Sequence, residues 1–532
     1  MITLFHLKET DRNTKMNDTF DGTQGGVNPS TSASGDGESS SDDETADLIS
    51  DPLAMEEMWA KELLHLEYDE REANNDRVHG MKSWAVPETP EQNNRALNDM
   101  QTEINKLPLE EKRAHERGLE LHSLYIQSKE YRLRFLRATR FDAKDAAYRY
   151  CKCQDYMADL FGEVALRRRL FLTDLNDEEL SYMREGQFQI LPSRDCLGRR
   201  IIVYNFSKLT RPYSIDIMFR VYVYMLYAIM SEDISTQRNG LVYIGMINKT
   251  RVQKKIKGSN SLMHVRRMFE AMPLIWGAVH LCVPNIPVYR VITALFMTWI
   301  GAEGRQLMRI HRGNRIECCY SLRSFGIPVE DMPEMETGQL KKENLLRLMK
   351  VRMAMDTFHK EQEMAMKRRR RKKAAPGAIK PFMGIECPEI NFLILGSSKS
   401  VGCKHNKHIG NIAFRNILFA NEGFRSYLQD HIGNDKGRGG NAGIKRIAEA
   451  IIYESCLQGL HFLEYIPEKG FYTEIINLED LHQQVEEAMK RHRKKYRAVS
   501  LARNNKTKNS DANSPVNVPF DLSLKNSGGC LG

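Results

Sequence analysis

The stretch RDCLGRRIIVYNF, residues 194–206, decides the fold. Its first part, RDCLG, is a turn sequence punctuated by Asp and Gly, and its second, RIIVYNF (200–206), is a strand signal rich in β-branched and apolar residues. Downstream, an apolar helix is expected from Ile215 to Met230, a second strand at LVYIGMI (241–247), a helix from Ser261 to Ala271 and a third strand at AVHLCV (278–283). Strands separated by helices imply an α/β layer around a mixed or parallel sheet.

Working outward, residues 1–50 are rich in Ser, Gly, Thr and Asp and carry too little apolar content to offset the entropy of ordering, so they read as a disordered acidic tail. A helical region follows over 51–175, beginning with MEEMWAKELLHL (55–66) and resuming from about Arg95 to Phe161. The α/β domain occupies 176–338, and 339–378 reads as a basic linker helix ending in KRRRRKK and then AAPGAIKP. A small mixed α+β unit spans 386–496, opening on the strand-like INFLIL and containing a second short strand, FYTEII; 497–532 is a polar tail.

Ordered motifs over 130–340 resemble the Sec14-like (CRAL-TRIO) family. YRLRFLRATRFDAKDAAYR (131–149) is similar to the family's basic-apolar "LLRFLRAR" run followed by "FDxxKA"; Phe135, Leu136 and Phe141 can pin two short helices, with Asp142 capping the second. DCLGRRIIVYN resembles the "D-x-x-G-R-P-V" turn and first strand, with Arg200 in place of Pro. Met272-Pro273, AVHLCV, Asn285 and Pro287 resemble the segment leading into the family's gate, and GIPVEDMPEMETG resembles its "L-P-x-E-x-G-G" end. The resemblance implies a sheet floor, an N-terminal helical bundle and a gate helix enclosing one lipid.

On that reading YRVITALFMTWI (289–300) is the gate, with Phe296, Met297, Trp299 and Ile300 toward acyl chains, against the plain alternative of a buried helix. Tyr222, Leu226 and Met230 would line the helical wall, with Tyr204, Tyr243 and Trp276 on the sheet side; ordinary core packing explains the helix residues equally well. No basic residue occurs between Arg290 and Arg305, where phosphoinositide-exchanging members carry a Lys, so no headgroup contact carries over.

The C-terminal unit resembles an algal domain family of unknown function, with the signature "N-x-H-P-G-N-x-x-F-R" matched by Asn406, His408, Gly410, Asn411, Phe414 and Arg415 and Ile409 standing where Pro is usual. Cys403, His405 and His408 lack a fourth ligand at fixed spacing, so no metal is expected. The loops at 396–402 and 434–443 miss the phosphate-loop and dinucleotide patterns, and no nucleophile and base stand at recognisable spacing. The expected protein is therefore not an enzyme and needs no cofactor.

Charge is uneven along the chain. The net +9 averages over residues 16–60, which hold no Lys or Arg, and the run Lys367, Arg368, Arg369, Arg370, Arg371, Lys372, Lys373. That run suits a nuclear localisation signal, an anionic membrane patch or a solvated helix end. The ten cysteines form no C-x-x-C pair, which suits reduced intracellular thiols. The uncharged stretch 271–289 contains Pro273, Pro284 and Pro287 and is no membrane span; the N-terminus does not read as a signal peptide, nor the C-terminus as a lipidation box. The functional expectation is non-catalytic lipid binding or transfer at membranes by a cytoplasmic protein. The alternative is an adaptor whose C-terminal unit binds a protein or nucleic acid.

Overall fold

The computed structural model describes residues 52–83, 85–206, 209–247, 267–287, 289–290, 293–294, 297, 302, 304–335, 337–371, 384–389, 391–395, 408–429, 441–466, 468–475 and 477–508. Helices α1 (Pro52–His65) and α2 (Tyr68–His79) precede a cluster of α3 (Pro90–Lys106), α4 (Arg113–Glu120), α5 (Lys129–Ala138), α6 (Ala143–Phe161), α7 (Val164–Arg167) and α8 (Asp177–Glu185). Local chemistry sets these starts. Thr89, Ser128 and Asp142 each accept a hydrogen bond from a first-turn amide, satisfying a donor the helix leaves open.

The pinning expected of 131–149 is present, with a longer second helix than the two short ones anticipated. Phe135 and Leu136 are buried on α5, Tyr150 on α6 meets Phe135 edge-on at 5.4 Å, and the 19-residue α6 buries a stripe from Ala146 to Met157. Between them the backbone turns through Arg140 and Phe141 at φ 54° and 68°, and Asp142 receives the Asp145 amide at 2.9 Å.

The main sheet has five strands in the order β1-β2-β3-β4-β5: β1 (Phe188–Arg194), β2 (Arg200–Asn205), β3 (Leu241–Met246), β4 (Trp276–Val283) and β5 (Met308–Arg312). β1 runs antiparallel to β2 and the remaining pairs are parallel, so the expected mixed α/β class is observed. The two edge strands escaped the sequence reading for identifiable reasons. β1 carries Pro192 where its register shifts between Ile190 and Arg194, and Pro is tolerated at such an edge irregularity; β5, MRIHR, is too cationic to look like a strand.

Successive strand residues face opposite sides. One face, with Phe188, Ile190 and Ile202, is covered by α9 (Ile215–Glu232), which α10 (Ile234–Asn239) follows. The other, with Ile201, Val203, Val242, Ile244 and Ala278, packs on Val78 of α2 and on Cys318 and Leu322 of α11 (Arg315–Ser324). Covering both faces is what parallel strands require, and it explains the nearly continuous apolar runs of β3 and β4. Residues 267–271, the described part of the helix expected over 261–271, are helical.

The segment read as a linker forms α12 (Glu343–Arg371), whose Leu345, Leu348 and Met349 join the first unit's core. Beyond it, β6 (Phe392–Leu395), β7 (His461–Ile466) and β8 (Phe471–Glu474) form a three-stranded sheet, with β6 and β7 parallel and β7 and β8 antiparallel. Helices α13 (Ile409–Ala420), α14 (Glu422–Gln429), α15 (Asn441–Leu457) and α16 (Leu478–Lys508) build its core with Leu393, Leu395 and Phe462.

The two units are joined through buried charge. Glu386 bridges Arg200 at 2.8 Å and Arg352 at 3.0 Å, while Arg194 pairs with Asp233 at 2.6 Å and donates to the carbonyls of Cys387 and Pro388. Burial raises the Glu386 carboxyl, but the guanidiniums outweigh it and hold the group below the usual carboxylate range. On the far side Val351 and Met355 of α12 pack on Phe471 of β8.

Candidate functional site

The turn that opens β2 fixes the sheet's geometry at its buried end. Gly198 adopts φ +82°, and Asp195 accepts the amides of Leu197 and Arg199 and the Arg199 Nε at 2.6 Å. Arg199, 1% exposed, also donates to the carbonyls of Arg77 and Val78, stitching the end of α2 to the sheet. Gly277 on β4 leaves room for this guanidinium, since a Cβ there would lie 2.5 Å from Arg199 Nη1.

Four of the aromatic residues picked out in the sequence gather on the α9 side of the sheet. Tyr204 on β2 meets Tyr222 on α9 almost perpendicularly at 5.5 Å, and Tyr243 on β3 meets Trp276 on β4 in the same manner at 6.0 Å. Register places Tyr204 opposite Gly245, and the space over this glycine is filled by Leu281, whose Cδ1 would lie 2.9 Å from a Cβ there. Burial pushes the Tyr204, Tyr222 and Tyr243 hydroxyls above the usual tyrosine range. Yet each of the three side chains is half-accessible, as is Trp276. Deep hydroxyls on rings that keep part of their surface accessible make this an aromatic surface between the sheet and α9.

The same surface includes residues the sequence reading did not select. Phe188 packs on Tyr222 at 4.9 Å, the Tyr182 hydroxyl donates to that of Tyr222 at 3.2 Å, and Phe269 lies 5.6 Å from Trp276. Leu209, Tyr213 and Met218 are half-buried beside them. Phe188 could have been found had β1 been recognised; Tyr182 and Phe269 sit in polar helical surroundings that carry no such signal.

Other selected residues go elsewhere. Leu226 and Met230 are fully packed core residues of α9, and the packing alternative describes them. Met297 is buried with Val279, Ala294 and Met308 and covered by Met58 and Trp59 of α1, whose indole donates to the Arg305 carbonyl at 2.9 Å. Phe296, Trp299 and Ile300 lie outside the described residues. A cleft of about 580 Å³ beside α4 and α6 is lined by Arg113, Arg117, Lys152, Asp155, Arg267 and Glu270, charges of both signs that do not suit an apolar ligand.

In the second unit, the signature residues divide by role. Asn411 brackets β6, receiving the Ile394 amide at 2.8 Å and donating to the Ile394 carbonyl at 3.3 Å; Phe414 is core and Gly410 is buried. His408 precedes α13, and burial lowers its imidazole below the usual range. Arg415 stands half-buried on α13, where burial lowers it too. Asn406, Cys403 and His405 lie outside the described residues, as do Lys372 and Lys373, while Lys367, Arg368, Arg369, Arg370 and Arg371 form the last turn of α12.

Among the described residues no helix is long and apolar enough to cross a membrane. Comparison of the chain with protein-family models and with curated proteins returned no match.

Proposed function

We propose that the first unit is a CRAL-TRIO-like domain that binds one lipophilic molecule and carries it between membranes without chemistry. The observation that carries this reading is the aromatic surface of Tyr204, Tyr222, Tyr243 and Trp276, deep in the fold and still accessible. An acyl chain laid on that surface gains about 25 cal/mol for each Å² of apolar area removed from water, so roughly 400 Å² supplies about 10 kcal/mol before ordering costs. The tyrosine hydroxyls orient the more polar end of the ligand. The segment starting at Tyr289, whose Ala294 and Met297 close over Val279 and Met308, serves as the lid that a membrane surface opens. On this reading the protein works at the cytoplasmic surface of membranes.

The test is native mass spectrometry and solvent extraction of the purified full chain, with transfer of fluorescent phospholipid between vesicles. One lipophile per chain and protein-dependent transfer are expected, and Tyr243→Asp should remove most of the bound material while Tyr148→Asp, on an exposed position of α6, leaves it. An empty protein inactive toward every lipid class overturns the reading.

A further inference from the structure

We propose that the second unit, on the face where α13 meets α16, docks the phosphate backbone of a nucleic-acid duplex, a function independent of the aromatic surface. α16 changes character along its 31 residues, which extend about 46 Å at 1.5 Å per residue. Its first half is anchored, with Leu481, Val485, Ala488 and Met489 buried in the unit's core. Acidic residues end at Glu487. From Ala488 to Lys508 the sequence holds nine Lys and Arg and no Asp or Glu. Lys490, Arg491, Lys494, Lys495 and Arg497 are exposed, with Glu486 standing 3.4 Å from Lys490.

The signature of the second unit supplies the other wall. Asn411 brackets β6 and Phe414 is core, while Arg415, half-buried on α13, lies one turn before Phe419, whose ring meets His492 of α16 edge-on at 6.2 Å. Burial, and then the charges of Arg415, Lys495 and Arg491, hold the His492 imidazole down at about 4. Exposed cations of α16 thus flank the contact between the two helices, and a polyanion laid across them relieves their mutual repulsion. Spaced along a helix, they match a ladder of phosphates carrying one charge per about 1.7 Å of duplex.

The surroundings favour nucleic acid over a membrane. A helix lying in a bilayer interface needs an apolar face, and between Lys490 and Ala498 the one large aromatic, Tyr496, packs toward the core. The same inward aromatic argues for duplex backbone over single strands, which are held by stacking on exposed rings.

The experiment is fluorescence anisotropy of a labelled 20-base-pair duplex DNA with the full-length protein between 50 and 200 mM salt. Three phosphate contacts give a slope of log K against log salt near −2.7, roughly a 40-fold weakening over that range. Arg415→Gln with Lys495→Gln should make the slope shallower by about 1.8. Lys494→Gln, at an exposed position where folding is not at stake, should make it shallower by about 0.9. Slopes unchanged in both variants overturn the proposal, as does binding to phosphatidylserine vesicles with none to the duplex.

Discussion

Replacing Arg199 with Met should be among the most damaging single changes in the first unit. The side chain is 1% exposed, and its guanidinium neutralises Asp195, itself 1% exposed, while tying down the Arg77 and Val78 carbonyls at the end of α2. Methionine fills much of the same volume but leaves the Asp195 carboxylate with the Leu197 and Arg199 amides and no cation. Breaking a buried pair from one side costs about 3–5 kcal/mol, whereas replacing both partners is often close to neutral. For a domain of this size each kcal/mol moves the midpoint by about 2–4 °C, so Arg199→Met should lower Tm by roughly 6–20 °C. The double variant Asp195→Asn with Arg199→Met should recover a substantial part of that loss. Scanning calorimetry of the wild type and both variants at pH 7 measures it. A single variant within about 1 kcal/mol of wild type, or a double variant worse than the single, would refute the argument that the pair is held by charge compensation.

The junction between units follows the same logic: Glu386→Ala takes a carboxylate from Arg200 and Arg352, 3% and 5% exposed, of which Arg200 keeps Asp233 at 3.7 Å, and should cost about 3 kcal/mol. Hydrogen exchange should then rise in β1, β2 and the 384–389 segment together; exchange confined to 384–389 counts against the bridge. Acid should weaken the helical cluster through Glu88. Burial raises its carboxyl, but Arg137 and Arg238 outweigh that and hold it at about 2, against an ordinary value near 4.5. Because the folded value is depressed, its contribution is complete above pH 4.5 and is lost as pH falls toward 2. Glu88→Gln should flatten the dependence of Tm on pH across that window, and an unaltered profile would contradict the assignment.

The sequence by itself determined the elements whose patterns are local. The apolar runs of β2, β3 and β4, the long apolar α9, the Asp142 cap and the α/β alternation were all legible, because hydrophobic periodicity and capping depend on residues a few positions apart. The edge strands β1 and β5 were not, since an edge strand is completed by a neighbour supplied from elsewhere in the chain; nor was β7, the central strand of the second sheet, whose HFLEYI sets His and Glu among its apolar residues. The candidate site divided in the same way. Sequence named Tyr204, Tyr222, Tyr243 and Trp276, but Leu226 and Met230, equally apolar and on the same helix as Tyr222, proved to be core. Only tertiary structure separates the two, because whether an apolar side chain meets a neighbour or open space depends on what the rest of the chain brings to it. The same holds for charge: the formula counts Glu386, Arg200 and Arg352 as independent ions, and folding alone, across 186 and 34 residues of separation, makes them one buried bridge.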